Sequence, residues 1–255
     1  MLLAIDIGNT NIVIGAIQDD KIVFEARIAT ERVKTSDQYA VEIKNMLELF
    51  GVKVSDLRDC IISSVVPPVF NSVHTGIMKV TGKPPIVVGP GIKTGLNIQV
   101  DTPSQVGSDR IVIAVAALAE YEPPLTLLDL GTATTIEVVD KGNVYLGGCI
   151  IPGVRISLEA LTSRASQLPG IQLDKPKKVI GKNTVDCMRS GVMYGAAVML
   201  DGMIQRVEEE LGYPTTVVAT GGMAQFVCPL CRREIKLERD LLLKGLNLIY
   251  KKNMK

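Results

Sequence analysis

Two short stretches of the sequence place an aspartate where it can meet phosphate. Asp6-Ile7-Gly8-Asn9-Thr10 closes an apolar run that begins at Leu2, and Asp129-Leu130-Gly131-Thr132-Ala133-Thr134 closes another that begins at Leu125. An Asp two residues ahead of a Gly in a tight turn exposes a carboxylate beside unobstructed backbone N–H groups. Such a turn cradles phosphate oxygens through its N–H donors while the carboxylate holds a metal ion, directly or through water. One copy describes an ordinary hairpin; two copies, each trailed by small polar residues, point to a bound nucleotide. No other nucleotide signature competes, since Gly76 to Lys83 has the wrong spacing for a P-loop and no G-x-G-x-x-G follows a strand.

A third stretch, Val106-Gly107-Ser108-Asp109-Arg110, stands at the head of an apolar helix. Asp109 can accept a proton from a hydroxyl while Arg110 offers a planar fork to a carboxylate, the pair that a hydroxy-acid kinase needs. His74 is the only histidine, which argues against a histidine base or a histidine-rich metal site. Five cysteines is an odd count for a disulfide framework and fits reduced thiols. Cys228 and Cys231 resemble half of a zinc site or a redox dithiol, but no second pair of ligands completes four, so they are read as structural.

These residues need elements to hold them. The two Asp-x-Gly stretches make the chain an internal echo, with a join near Glu122-Pro123-Pro124, so the expected lobes are 1–122 and 123–255. In each, an apolar run, a glycine turn and a second apolar run describe a hairpin, and turns at Asp19-Asp20 and Lys141-Gly142-Asn143 extend it to a meander. Thr35 with Gln38 makes a capping box for a helix whose apolar face is Tyr39, Ile43, Met46, Leu47 and Phe50, stopped by Gly51. Cys60 to Val66 and Pro85 to Val88 read as buried strands, and 108–119 as a helix. Further on, 185–211 predicts one or two helices, Thr216 to Ala219 a strand ending in Gly221-Gly222, and 239–250 a terminal helix. The expected fold class is therefore α/β, two lobes of mixed sheet and flanking helices with a cleft between them.

The 255 residues are 47% hydrophobic and 22% charged, a composition of well-packed α/β proteins. Twenty-eight basic against 27 acidic residues leave a net charge of +1 and no field for nucleic acid. The basic residues Lys251, Lys252 and Lys255 read as a solvated tail. Asp6 interrupts the apolar start too early for a signal peptide, and Ile111 to Ala119 is too short to span a bilayer, so a cytoplasmic enzyme without membrane partners is expected.

Taken in order, the three motifs, together with Gly147-Gly148, Pro152-Gly153 and Thr220-Gly221-Gly222, resemble the type III pantothenate kinases over nearly the whole chain, from residue 2 to about residue 245. The resemblance implies the ribonuclease H-like, actin/hexokinase-type fold of the acetate and sugar kinase superfamily, a homodimer, and ATP-dependent phosphorylation of pantothenate. It implies that Asp6, Ile7, Gly8, Asn9, Thr10, Asn11, Ile12 and Val13 form the ATP-facing hairpin, with magnesium at Asp6 and Thr132 on ATP phosphate. Asp129 would hold a monovalent cation, potassium or ammonium. Gly107, Ser108, Asp109, Arg110 and Thr184 would hold pantothenate, with Asp109 the base. Val100 stands where many members carry an aromatic residue. The readings left beside this one are a kinase of the same fold for another hydroxy acid or sugar, and a non-catalytic binder of nucleotide or pantothenate that regulates a partner.

Overall fold

The structure is a computed structural model that describes residues 1–254; Lys255 of the expected basic tail lies outside the described residues. In chain order the elements are β1 (Leu2–Ile7), β2 (Asn11–Gln18), β3 (Lys21–Ala29), α1 (Ser36–Leu49), β4 (Asp59–Ser64), α2 (Pro67–Thr81), β5 (Ile86–Val87), β6 (Asn97–Ile98) and α3 (Ser108–Glu120). They continue as β7 (Leu125–Leu130), β8 (Ala133–Val139), β9 (Val144–Pro152), α4 (Val154–Arg164), α5 (Thr184–Leu211), β10 (Thr216–Thr220), α6 (Ala224–Val227), β11 (Lys236–Leu237) and α7 (Leu241–Asn253). None of the described helices is long and apolar enough to cross a membrane.

The chain forms two compact units, one of Met1–Leu96, Asp101–Ala119 and the segment from Asp240 onward, the other of Asn97–Val100 and Glu120–Arg239. The echo seen in the sequence is an echo of topology. The first sheet runs β3-β2-β1-β4-β5, and the second repeats that order as β9-β8-β7-β10-β11, with β6 added outside β9. In each, the first three strands form an antiparallel meander and the fourth lies parallel to the first. The break at 119/120 falls close to the expected join, but α7 belongs with the first unit and 97–100 with the second, so the units depart from 1–122 and 123–255.

Turn chemistry explains the meanders. Asp19 and Asp20 have φ of 48° and 65°, the left-handed pair that matches strand twist in a two-residue hairpin. The capping box at Thr35 is formed as expected: Gln38 N–H donates to the Thr35 hydroxyl, and the Gln38 carboxamide accepts from Thr35 N–H. Tyr39, Ile43 and Leu47 are the buried face of α1, whereas Phe50 is its C-cap residue and stacks on Phe24 from outside, with ring centroids 4.6 Å apart. Pro67-Pro68, which ends the apolar run from Cys60, opens α2, because a proline in the first turn gives up only an N–H that would have no helical partner.

The central strands of the first sheet, β1, β2 and β4, are buried on both faces. Leu3, Ile5, Ile7, Ile12 and Ile14 pack on α1 and α2 through Tyr39, Leu47, Val73 and Ile77. Leu2, Ala4, Val13 and Ile61 pack on α3 and α7 through Val112, Val115, Leu243 and Leu246. In the second unit Leu128, Leu130, Ile136, Val217 and Ala219 pack on α4 and α5.

The sequence pattern does not say which unit takes α7; specific fastenings do. Asn247 donates to Asp20 at 2.7 Å, Tyr250 to Asp59 at 2.5 Å, and Asn253 to the Lys93 carbonyl at 3.0 Å, while Lys251 pairs with Asp20. Gly245 brings α7 against α3, since a Cβ there would stand 2.1 Å from the Val112 carbonyl oxygen. Gly245→Ala is therefore expected to lower stability by about 1–3 kcal/mol, although alanine is the better helix former, and chemical denaturation of the two proteins measures it.

Candidate active site

Every residue of β1 is buried, and alternation along the strand puts Asp6 on the same face as Leu2 and Ala4, the face that α3 covers. Asp6 is 5% exposed, and the hydroxyl of Ser63, abreast of it on β4, donates to its Oδ1 at 2.5 Å. Its Oδ2 lies toward the turn, 3.9 Å from where a Cβ on Gly8 would stand. The turn is closed by Gly8 N–H donating to the Asn11 carbonyl at 3.1 Å. Thr30 clamps it from behind, its hydroxyl donating to the Gly8 carbonyl at 2.7 Å and its N–H to that of Thr10 at 3.0 Å. Asn9, Thr10 and Asn11 are exposed, whereas the side chains of Ile7, Ile12 and Val13 are in the core, so these three can offer a ligand only their backbone.

The helix bearing Asp109 is latched to the same strand ends. The Ser108 hydroxyl donates to the Ser64 carbonyl and accepts from the Ser64 N–H, both at 3.1 Å. Ser64 ends β4 abreast of Ile7, the residue after Asp6. Asp109 Oδ1 accepts from the Arg110 N–H at 2.8 Å and lies against Gly107, where a Cβ would stand 2.5 Å from it. Asp6, Gly8, Ser108, Asp109 and Arg110 thus gather at the carboxyl ends of the parallel pair β1 and β4, the end of an open α/β sheet at which ligands bind.

The second turn is one residue tighter. Gly131 N–H donates to the Ala133 carbonyl at 3.0 Å, and Asp129 lies abreast of Thr135 on β8 and Thr220 on β10. Gly221 has φ +94°, and a Cβ there would stand 2.4 Å from Asp129 Oδ1, so only glycine lets this backbone lie against the carboxylate. Gly153, at the head of α4, lies equally close to the carbonyl of Thr132, where a Cβ would stand 2.2 Å from the oxygen. Thr184 is the first residue of α5, exposed, behind the cap in which the Asn183 side chain accepts from Asp186 N–H at 2.9 Å. Val100 lies beside Gly147, which borders the irregularity in the β8–β9 ladder, where Leu146 is skipped between Gly147 and Tyr145.

The profile of the family described as type III pantothenate kinase matches residues 2–206. A Halalkalibacterium halodurans protein named type III pantothenate kinase is 45% identical over 254 residues, covering 100% of both chains. The chain belongs to the type III pantothenate kinases. Among solved structures it is similar to a Campylobacter jejuni protein placed in the Baf family of transcriptional activators, at 20% identity and TM-score 0.62, over 99% of this chain and 98% of that one. It is similar also to the ROK hexokinase of Thermus thermophilus, at 15% identity and TM-score 0.52, over 99% of both chains. At such identities the likeness is one of fold, and the fold is the actin/hexokinase type expected for a type III pantothenate kinase.

Sequence reasoning did not find Ser63 or Thr30. Ser63-Ser64 ends an apolar strand as Thr220-Gly221 does, and that echo was available; Thr30 carries no local signal, because only the β2–β3 register brings it to the first turn. Cys228 is part of the core of the second unit, and Cys231 packs against it. No cluster of three or more metal-ligating side chains occurs among the described residues. Burial pushes the Cys228 thiol up to about 11; burial, then Asp201 and Cys228, pushes that of Cys231 up to about 12.

Alkylation with iodoacetamide at pH 8 is expected to label exposed Cys187 and to spare Cys228 and Cys231 until the chain is denatured, as peptide mass spectrometry would report. The raised thiol values favour the folded state below the ordinary thiol range, and this contribution is lost as pH rises through about 11 to 12. Ser63→Ala, which removes the donor to Asp6, is expected to weaken magnesium–ADP binding by about 1 kcal/mol, roughly fivefold, in a calorimetric titration. Ser63→Thr, which copies the hydroxyl residue of the second unit, is expected to retain it.

Proposed function

We propose that this chain transfers the γ-phosphoryl group of ATP to the hydroxyl of pantothenate, giving 4'-phosphopantothenate, the first step of coenzyme A biosynthesis. Within a chain of this family, the observation that carries the assignment of roles is the Ser108–Ser64 latch, which sets the helix bearing Asp109 at the strand ends that bear Asp6.

Phosphoryl transfer asks the protein mainly to position and to neutralise charge. The residues present fit a metal–triphosphate: a buried carboxylate at Asp6 oriented by Ser63, beside a turn whose tip is exposed. Magnesium bound there with ATP would offset the charge of the β- and γ-phosphates. Asn9, Thr10 and Asn11 meet the nucleotide by side chain and backbone, Ile7, Gly8, Ile12 and Val13 by backbone, and Thr132 contacts phosphate from the second turn. Asp109 receives the hydroxyl proton as the new bond forms. Arg110 takes the pantothenate carboxylate in its planar fork. Gly107 completes that site, as does Ser108 through its backbone, and Thr184 is likewise assigned to pantothenate.

Asp129 holds the monovalent cation, potassium or ammonium, a reading supported by the backbone that Gly221 keeps against its carboxylate. The enzyme works in the cytoplasm as a homodimer. Support for the dimer comes from α5, on which Gly191, Gly195, Val198 and Gly202 recur at helical spacing and are all exposed, a flat stripe that a second helix can approach closely.

ADP release from the purified chain with ATP, magnesium and pantothenate tests this reading. Turnover is expected to require pantothenate, to be greater in potassium than in sodium, and to fall about 10²-fold or more in Asp109→Asn. Turnover only with another hydroxy acid or sugar would replace the substrate. Nucleotide binding without turnover on any acceptor would replace the kinase by a regulator.

A further inference from the structure

The hydroxyl oxygen of Thr135 is buried and has no hydrogen-bond partner. Such orphans are rare in folded proteins, because a hydroxyl shut away from water loses its hydrogen bonds to solvent and gains nothing in return. Its surroundings narrow what could satisfy it. Thr135 lies in β8 between Asp129 of β7 and Ile150 of β9. Directly opposed residues of antiparallel strands point to one face of the sheet, so Thr135 and Asp129 share a face, the one opposite the Leu128, Leu130 and Ile136 core. Ile150 has no polar side-chain atom, which leaves Asp129 as the polar side chain directly opposite Thr135, and yet no hydrogen bond joins the two.

Thr220, 3% exposed, stands abreast of Asp129 on its other side, and Gly221 keeps the backbone against the carboxylate. One carboxylate among neutral hydroxyl and backbone oxygens is a donor set for a singly charged ion; sites for divalent ions collect more carboxylates. The first unit differs at the deciding position. There Asp6 has Ser63 where Asp129 has Thr220, but Val13 where Asp129 has Thr135. The additional hydroxyl is present only beside the aspartate to which the cation is assigned.

We propose that the Thr135 hydroxyl is a ligand of the monovalent cation held by Asp129. The inference rests on the reading of Asp129 given above and extends it to a residue that no motif marks. Its hydroxyl oxygen supplies a lone pair to potassium, or accepts a hydrogen bond from ammonium. The lack of a partner among protein groups is then the mark of a site built for an ion.

Thermal unfolding of the full chain with magnesium and ADP tests this, followed against potassium concentration with choline chloride holding ionic strength constant. Wild type, Thr135→Val, Thr135→Ser and Asp129→Asn are compared, with potassium dependence of pantothenate turnover measured beside them. Thr135→Val, which keeps the shape and deletes the oxygen, is expected to raise the half-saturating potassium concentration about tenfold or more in both readouts, while Thr135→Ser stays near wild type. Thr135→Ala provides the same comparison if valine disturbs the packing. A potassium response in Thr135→Val equal to that of wild type, with Asp129→Asn silent, would overturn the role of Thr135 and leave the cation at Asp129. No potassium response of wild type in either readout would overturn both.

Discussion

A carboxylate can serve phosphate chemistry at the rim of a sheet only if the strand beneath it cannot slip, and register is the constraint on which this structure depends. Because side chains alternate along a strand, a slip of one residue would turn Asp6 from the face covered by α3 to the face covered by α1 and α2. The slip is opposed by apolar residues on both sides of β1, which has no solvent face to which a side chain could be lost. Asp129 occupies the corresponding place at the end of β7, third from the edge of the repeated strand order. Polar chemistry at the strand ends is thus set by hydrophobic packing along the strands.

How much of this could be read from the sequence follows from the range of the interactions involved. The meanders were legible because their signals are local: apolar runs bounded by Asp19-Asp20 and by 141–143, and an Asp-x-Gly at each first turn. The capping box at Thr35 was legible for the same reason. By contrast α2 was hidden behind Pro67-Pro68, whose other meaning, a helix start, depends on the spacing of Val69, Val73 and Ile77 beyond it. The short strands β6 and β11 carry two residues each, too few for any period to show, whereas β5, equally short, was marked by the apolar run from Pro85 to Val88.

The site divides in the same way. Asp6, Asp109, Asp129 and their glycines stand in contiguous motifs, and the structure gathers Asp6 with the 107–110 segment as those motifs require. The residues that orient them come from elsewhere in the chain. Ser63 is 57 residues from Asp6, Ser64 is 44 from Ser108, and Thr30 reaches Gly8 across 22. A hydroxyl that works through strand register leaves no pattern in its own neighbourhood. The duplication of the fold is what exposes it, because each half shows which positions beside the aspartate carry an oxygen.

The allegiance of α7 bears on how the chain acquires its structure during synthesis. The second unit lies almost wholly within 120–239, apart from the four residues 97–100, and is flanked by the two portions of the first. When a ribosome has released residue 239, every strand and helix of the second unit has emerged, while the sheet bearing Asp6 still lacks the helix that supplies Leu243, Leu246 and Ile249 to one of its faces. The nascent first unit therefore presents an apolar surface until α7 arrives, and the half of the molecule made first is the half completed last.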